Sequence, residues 1–207
     1  PVAFVLEDDT PVYRVEPGGL SLAARADKHA RVRVAARIEE GGKRLVSTGE
    51  LALERSAVRV ADAIERPERI PAGEKWIHVD LAEQTLVAYE PDGPVFATLV
   101  SSGKPGYATP RGTFRVRKKY LTHTMSGRDP VDGVYEVGEV PWVMYYFKSY
   151  ALHGAYWHDG FGQTRSHGCT NIAPADAKWL FYWSDPELPP RWHGMLRTAG
   201  THVHFTR

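Results

Sequence analysis

Short runs in which apolar residues alternate with polar ones recur along the chain and predict strands rather than helices. Residues 30–34, Ala-Arg-Val-Arg-Val, alternate with a period of two, as a half-buried strand does. Residues 76–81, 85–89 and 95–101 are three further strand-like runs separated by short turns. Runs that follow one another so closely predict hairpin-linked, antiparallel strands. The chain is therefore predicted to be mainly β.

The first 70 residues hold about five strand-like segments, broken by turn signals at Thr10-Pro11 and at residues 17–19, Pro-Gly-Gly. Residues 38–46 are typical of a hairpin, in which Gly41-Gly42 supplies the positive φ of the turn. The remaining segments are 2–6, 30–34, 51–53 and 57–60. Together these short strands predict a small SH3-like β-barrel.

Several basic residues lie on the predicted strands of this region. They are Arg31, Arg33, Arg37, Lys43 and Arg44. Such a set fits either a patch for an anionic polymer or the solvated face of an edge hairpin. Strand geometry alone places alternating charges on one face, which favours the solvated face.

The best linker candidate is residues 65–73, which contain two prolines, a glycine and several charges. It predicts a small β domain over residues 1–70 and a larger domain over 71–207. Within the larger domain, residues 174–183 are the one convincing helix, with Pro174 in the first turn and Asp176 near the N-terminal end of the dipole. Trp179, Leu180 and Trp183 fall on one face of that helix. Residues 201–205 predict a closing strand.

Composition sets broad limits on what the protein does. The 207 residues are 43% hydrophobic and 25% charged, with a formal net charge of +1, so nothing in the bulk charge indicates nucleic acid. No apolar run approaches the roughly 18 residues of a membrane span. The chain begins Pro-Val-Ala without Met, which is typical of a trimmed or mature fragment whose secretion signal or anchor came earlier.

The strongest chemical signal surrounds Cys169, the one cysteine in the sequence. It sits in residues 166–171, Ser-His-Gly-Cys-Thr-Asn, and a second His-Gly pair begins at His153. A cysteine with a histidine brought near it is the minimum set for nucleophilic catalysis, because the imidazole takes the thiol proton. The alternative is a small buried apolar residue, but an ordinary core strand would be richer in Val and Ile.

Residues 153–171 resemble the signature of the L,D-transpeptidase (YkuD) family, which is His, a spacer, and then Ser/Thr-His-Gly-Cys-x-Asn/Arg. Residues 101–114 resemble a second recurring segment of that family, Ser-x-Gly followed by Thr-Pro-x-Gly-x-Phe. A phosphate-loop interpretation of the same residues fails, because no Gly-Lys-Ser/Thr followed by a helix is present. With Trp-Ile-His-Val-Asp-Leu at 76–81, the resemblance covers about residues 75–207.

The family resemblance implies a YkuD-type β-sandwich with one packed helix and a site built around Cys169. Cys169 is the implied nucleophile, and His153 is the implied general base, oriented by a backbone carbonyl near Gly154. His167 is the third implied catalytic residue, and the backbone N–H groups of Gly168 and Cys169 form the implied oxyanion hole. The implied substrate contacts are Asn171, Ser166, Gly154, Tyr145 and Met125. Asn171 and Ser166 fit either tying the loop together or contacting substrate, and a helix-capping or turn role is equally consistent with the sequence.

The same resemblance implies a peptidoglycan L,D-transpeptidase. Its cysteine attacks the carbonyl before D-Ala in a stem tetrapeptide, D-Ala leaves, and an amine resolves the thioester into a 3→3 cross-link. Resolution by water or by another amine, or a wall-binding module without activity, remain alternatives. The resemblance implies no cofactor, a periplasmic or extracellular location, peptidoglycan stem peptides as partners and acylation of Cys169 by carbapenems. A monomer is expected.

Three further features leave alternatives open. Residues 120–140, which include Met125 and Pro130, show no clear period and fit either a flap over the substrate groove, as in the family, or an irregular connection. The aromatic residues of 142–147 fit either a groove lining or the sheet core, with the core favoured for at least half. Zinc ligation by the histidines is disfavoured, because their spacings match no compact zinc motif. His202 and His204 are expected to face solvent.

Overall fold

The computed structural model describes residues 1–129 and 133–207 and is mainly β, as the sequence predicts. The first part of the chain forms eight strands and a short 3-10 helix at Arg55–Ala57. The strands are β1 Val2–Val5, β2 Thr10–Glu16, β3 Gly19–Ala26, β4 Arg31–Arg33, β5 Ala36–Glu40, β6 Lys43–Ser47, β7 Leu51–Glu54 and β8 Val58–Ala61.

These eight strands form one sheet of three, in the order β4-β1-β8, and one of five, in the order β3-β2-β7-β6-β5. The predicted hairpin at 38–46 is confirmed as β5 and β6, with Gly41 and Gly42 in its turn. The predicted turn at Thr10-Pro11 is wrong: both residues begin β2, and the turn falls just before them, where Asp9 has a φ of 56°. The sequence therefore predicted about five strands where the structure has eight. The SH3-like barrel stays a prediction.

The rest of the chain forms a ten-stranded sheet and one helix. Its elements are β9 Trp76–Asp80, β10 Thr85–Glu90, β11 Gly93–Ser101, β12 Gly112–Arg115, β13 Lys118–Asp129, β14 Gly133–Phe147, β15 Tyr150–Gly154, β16 Thr170–Ile172, α1 Pro174–Trp183, β17 Gly194–Leu196 and β18 His202–Thr206. The strand order is β12-β18-β9-β10-β11-β16-β15-β14-β13-β17. The antiparallel hairpins predicted for β9, β10 and β11 are confirmed.

The two halves of this sheet close on one hydrophobic core. Ile77 and Leu86 from one half share a fully buried cluster with Met144 and Leu152 from the other. Burial of large apolar side chains is the main favourable term in folding, so this cluster holds the two halves together. This arrangement, in which two halves of the sheet enclose one core, is the predicted β-sandwich.

Within the segment 120–140, the described residues, 120–129 and 133–140, lie in β13 and β14, so the irregular connection considered for them is wrong. β13 and β14 pair antiparallel along most of their length. Residues 130–132, including Pro130, lie outside the described residues. The hairpin extends away from the core, as the 77% exposure of Val134 shows, so it needs no apolar alternation. Its role as a flap stays a prediction.

The helix begins and ends where the sequence predicts, but it buries a different face. Ala177, Leu180 and Phe181 are buried in the core, whereas Trp179 is exposed and Trp183 packs only partly buried at the edge of the core. The rings of Trp179 and Trp183 stack on each other, with centroids 5.5 Å apart. The C-terminal end of α1 is closed by a buried lysine on β13, Lys119. Its ammonium group donates to the carbonyls of Phe181 and Ser184, which satisfies acceptors that a helix end leaves open.

Burial lowers the pKa of Lys119 to about 8, which makes stability depend on pH. Below pH 8 this lysine is protonated in both states, so the cost of burying its charge is fully present. Between pH 8 and about 10.4 the folded protein releases the proton while the unfolded chain keeps it. We expect the free energy of unfolding to rise across that window by an amount on the order of 2 kcal/mol. Urea titrations of the wild type and Lys119→Met at several pH values measure this rise. The free energy of unfolding should increase between pH 8 and about 10.4 in the wild type only. The same pH dependence in both proteins would contradict the assignment to Lys119.

The first 73 residues pack closely against the ten-stranded sheet. Phe4 and Ile70 are buried in one cluster with Trp76 and Leu99, so the predicted linker at 65–73 lacks regular structure but is anchored. Arg59 also donates from Nε to the carbonyl of Gly162 at 3.0 Å. The division into domains 1–70 and 71–207 stays a prediction.

Three of the basic residues considered for an anionic patch have carboxylate partners: Arg31 pairs with Asp176, Arg37 with Asp62 and Lys43 with Glu54. These contacts agree with a solvated, internally paired face. In the part of the chain that the structure describes, no helix has the length and apolarity to cross a membrane.

Candidate active site

A parallel pair of short strands brings the two catalytic candidates to one place. β15 and β16 are neighbours, with Leu152 opposite Thr170 and His153 opposite Asn171. Cys169 directly precedes β16 and, in this register, falls opposite Ala151, two residues before His153 on the neighbouring strand. Because side chains alternate along a strand, those of Cys169 and His153 lie on one face of the pair. The intervening residues 155–169 form a loop that returns the chain to the sheet, as a parallel connection requires.

His153 is buried, with 3% exposure, and its ring is held in one orientation. Its Nδ1 lies 3.0 Å from the carbonyl oxygen of Gly154. Because a carbonyl only accepts hydrogen bonds, Nδ1 carries the proton and Nε2 is left as the basic nitrogen. Burial lowers the pKa of His153 to about 4, so the ring is neutral at pH 7 and is ready to accept a proton.

Cys169 is also neutral at rest. Burial raises the pKa of its thiol to about 11, and a hydrogen bond from the Ala151 backbone only partly offsets this rise. The sulfur lies 3.7 Å from the carbonyl oxygen of Ser149, which accepts from the thiol form. With the thiol and the imidazole both neutral at rest, a reaction of this pair would move the proton to His153 as the sulfur attacks, rather than beforehand.

The resting state predicts an unusual pH profile for modification of Cys169. We expect alkylation by iodoacetamide to accelerate by about tenfold per pH unit from pH 7 to 10, because the thiolate fraction rises with pH below the thiol pKa. Free N-acetylcysteine in the same buffers is the control and should level off above pH 9. An alkylation rate of Cys169 that stays constant between pH 5 and 8 would instead show a preformed thiolate–imidazolium pair.

The turn before Cys169 is fixed by its own side chains. Gly168 has a φ of 114°, and a Cβ there would lie 2.5 Å from Tyr150 Cε1, so only glycine fits. Its N–H donates to Ser166 Oγ at 3.0 Å, and that hydroxyl donates in turn to the carbonyl of Cys169. Of the two N–H groups predicted for the oxyanion hole, the one of Gly168 is therefore engaged within the turn.

Ser166 and Asn171, predicted as substrate contacts, are buried and bonded within the protein. Asn171 Nδ2 lies 2.9 Å from His158 Nε2, which ties β16 to the preceding loop. These bonds favour the loop-tying alternative for both residues. His158 is a further residue bonded to the site. No motif marked it, because its partner is thirteen residues away.

Tyr145 and Met125 lie on the opposite side of the cysteine. Both pack in one small cluster that includes Cys169, and Tyr145 Oη lies 3.0 Å from His123 Nδ1. Burial raises the pKa of Tyr145 to about 12, so its phenol stays protonated. Their role as substrate contacts stays a prediction. Gly154, the remaining predicted substrate contact, is buried behind the site and supplies the carbonyl that holds His153.

His167 turns away from this cluster toward the loop at 103–109, where its ring meets Tyr107 edge-on at 4.8 Å. Among the neighbouring strand aromatics, the core placement is confirmed for two, and a groove lining stays a prediction. Tyr146 is 1% exposed in the core and Trp142 packs on Phe181, whereas Phe147 is 36% exposed.

The remaining histidines do not gather into a metal site. Within residues 1–129 and 133–207, no group of three His, Cys, Asp or Glu side chains is arranged to hold a metal ion. The expectation that His202 and His204 face solvent is wrong for His202, which is 6% exposed and lies 3.0 Å from Glu74. The cause is the position of β18 between β12 and β9, inside the sheet. His204 bonds Thr113 at 2.8 Å.

Comparison with known proteins agrees with this geometry. The family model of the L,D-transpeptidase catalytic domain, YkuD, matches residues 74–203, more than half of the chain. An Enterococcus faecium L,D-transpeptidase with a cysteine-to-serine substitution is 27% identical with a TM-score of 0.52, and the match covers 64% of this chain and 50% of that one. The Ldtfm–avibactam carbamoyl enzyme is 28% identical with a TM-score of 0.53, over 65% and 49% of the two chains.

A more distant structure shares the fold alone. L,D-transpeptidase 3 from Mycobacterium tuberculosis, in complex with a faropenem-derived adduct, is 19% identical with a TM-score of 0.52, over 64% of this chain and 60% of that one. The chain thus spans less than two thirds of the length of these three relatives. No curated protein sequence matches it.

Proposed function

Because the chain belongs to the YkuD family of L,D-transpeptidase catalytic domains, we propose that it transfers a peptidoglycan stem peptide through a thioester on Cys169. The observation that supports the proposal is the parallel β15–β16 pair, which carries the one cysteine and a buried histidine on neighbouring strands, the Nδ1 of the histidine being bonded to a carbonyl. That arrangement leaves Nε2 as the base. It matches the needs of acyl transfer by a thiol.

In the first half-reaction, the sulfur attacks the carbonyl carbon before D-Ala while His153 Nε2 takes the thiol proton. The tetrahedral oxyanion accepts a hydrogen bond from backbone N–H, and it collapses by breaking the C–N bond. The protonated His153 returns its proton to the departing amine of D-Ala. The thioester on Cys169 remains, and the ring is neutral again.

In the second half-reaction, an amine of a neighbouring stem peptide attacks the thioester and His153 takes the proton of that amine. Collapse of this second oxyanion breaks the C–S bond and returns the proton to sulfur. The product is a 3→3 cross-link. The Ldtfm–avibactam carbamoyl enzyme is a covalent acyl-type adduct of a relative, which supports our proposal that this chain is acylated in the same reaction class.

The site of action follows from the substrate. A protein that acts on stem peptides works at the cell wall, so we place this one in the periplasm or outside the cell. We propose that residues 1–70 act as a brace for the catalytic part, since Arg59 bonds the carbonyl of Gly162 in the loop that leads to Cys169. No cofactor is needed for either half-reaction.

Muropeptides with a tetrapeptide stem, incubated with the purified protein and analysed by mass spectrometry, test this function. We expect loss of one D-Ala per reaction and the appearance of cross-linked dimers. A tripeptide stem is the matched control, because it lacks the D-Ala whose bond breaks. Loss of D-Ala without dimers would identify an L,D-carboxypeptidase, or transfer to another amine if one is added. No change in either substrate would overturn the proposal.

A further inference from the structure

Thr109 lies under the catalytic turn and joins two loops that are distant in sequence. Its hydroxyl donates to the carbonyl oxygen of Gly168 at 2.8 Å and accepts from the N–H of Gly103 at 2.9 Å. The side chain is 6% exposed, so both bonds are made away from water. A buried hydroxyl that is fully used in this way fixes the groups it contacts.

The loop that carries Thr109 is itself closed and docked. Tyr107 N–H donates to the Lys104 carbonyl at 2.9 Å, and Lys104 N–H donates to the Ser166 carbonyl at 2.9 Å. A Cβ at Gly103 would lie 1.8 Å from the carbonyl oxygen of Tyr107, so this loop admits no side chain there. The loop therefore acts as a rigid floor for the turn that precedes Cys169.

The floor is anchored to the sheet through a buried amide. Gln84 Nε2 donates to Ser102 Oγ at 2.6 Å, and Ser102 N–H donates to Gln84 Oε1 at 2.7 Å. The Ser102 carbonyl then accepts from the N–H of Arg165 and of Ser166. These bonds connect β10, the floor loop and the catalytic turn in one network.

The bond from Thr109 decides where one backbone donor points. In a trans peptide the C=O of one residue and the N–H of the next are directed oppositely. With the Gly168 carbonyl held toward Thr109, the N–H of Cys169 is directed away from it, and among the described residues that N–H donates no hydrogen bond. The Gly168 N–H, in contrast, is engaged by Ser166 Oγ.

We propose that Thr109 is a positioning residue that aims the N–H of Cys169 at the oxyanion of the acyl-transfer intermediate. It touches neither substrate nor sulfur and acts only through the Gly168–Cys169 peptide. The inference rests on the proposed acyl transfer, since it assigns a task within that reaction. Loss of Thr109 should therefore slow only reactions that form an oxyanion. Attack of the thiol on a carbonyl forms one, whereas alkylation of the thiol does not.

The test compares two reactions of the same thiol. Acylation of Cys169 by p-nitrophenyl acetate passes through an oxyanion, whereas alkylation by iodoacetamide does not. In Thr109→Val we expect acylation to slow by about 10- to 100-fold, less than the loss for a deleted oxyanion donor, while alkylation stays within about twofold. Thr109→Ser keeps the hydroxyl and should restore acylation. Thr113→Val removes a hydroxyl bonded to His204, outside the site, and should leave both rates at wild-type values.

If Thr109→Val slows acylation and alkylation equally, or slows neither, the inference is overturned. If Thr109→Val does not fold, hydrogen exchange of the Cys169 backbone N–H in the wild-type protein tests the proposal instead. We expect its N–H to exchange quickly in the free protein and to be protected after acylation, and equal exchange in both would overturn the proposal. The ester needs no peptide recognition, so a protein that releases no D-Ala from tetrapeptides still gives this readout, and the two proposals fail separately.

Discussion

Cys169→Ala should abolish release of D-Ala from tetrapeptide stems, with a loss on the order of 10⁴-fold or more. The sequence contains no other cysteine, so no second thiol is present to replace it. The remaining groups of the site bind and polarise a carbonyl but supply no nucleophile. Release of free D-Ala, quantified by mass spectrometry against the wild type, measures the effect.

The same pair of proteins tests where the acyl group is carried. Intact mass after incubation with a carbapenem should show one adduct on the wild type and none on Cys169→Ala. Thermal melting of both proteins controls for folding, because alanine is smaller than the half-buried cysteine and leaves only a small void. An adduct on the alanine variant would place the acylation elsewhere and contradict the mechanism.

Features set by neighbouring residues could be predicted from the sequence. The helix at 174–183 and the hairpin at 38–46 both follow from local signals, a proline in a first turn and a glycine pair between strands. The residue set around Cys169 was equally visible, because motif and spacing lie within one segment. Local chemistry and local structure agree at these positions, as they do in sequences that fold to one state.

Features set by distant partners were not predictable. The bond between Thr109 and Gly168 spans 59 residues, and Gln84, directly before β10, reaches Ser102, directly after β11 and 18 residues away. A polar residue in a loop gives no sign of which backbone group it will bind. Only the fold shows that the Thr-Pro-Arg-Gly segment, recognised by resemblance, forms the floor of the catalytic turn.

The degree to which a strand is exposed explains two incorrect expectations, one about the segment around Met125 and one about His202. The residues of β13 around Met125 show no apolar alternation because the distal part of the β13–β14 hairpin has little buried surface. His202 shows the reverse effect: a polar residue on a terminal strand is buried because β18 is inserted between two other strands, where Glu74 pairs with it. Position in the sheet, rather than residue type, decided burial in both cases.

His153→Asn should lower the rate of D-Ala release by about 10²- to 10⁴-fold, the usual contribution of a general base. Asparagine retains a side-chain amide that donates to the Gly154 carbonyl, so the local structure has a substitute for the Nδ1 hydrogen bond. It lacks a basic nitrogen, so no group takes the thiol proton at the moment of attack. His204→Asn, which alters a histidine bonded to Thr113 outside the site, should keep wild-type activity.

The pH dependence separates loss of the base from loss of the nucleophile. At pH 7 both Cys169 and His153 are neutral in the wild type, because burial raises the pKa of the thiol to about 11 and lowers that of the imidazole to about 4. In His153→Asn, iodoacetamide should therefore still modify Cys169 at rates close to those of the wild type from pH 7 to 10, because hydroxide forms the thiolate in both proteins. Acyl transfer at pH 7 should stay low because the leaving amine also lacks its proton donor. Activity of His153→Asn equal to the wild type at pH 7 would assign the base to another group.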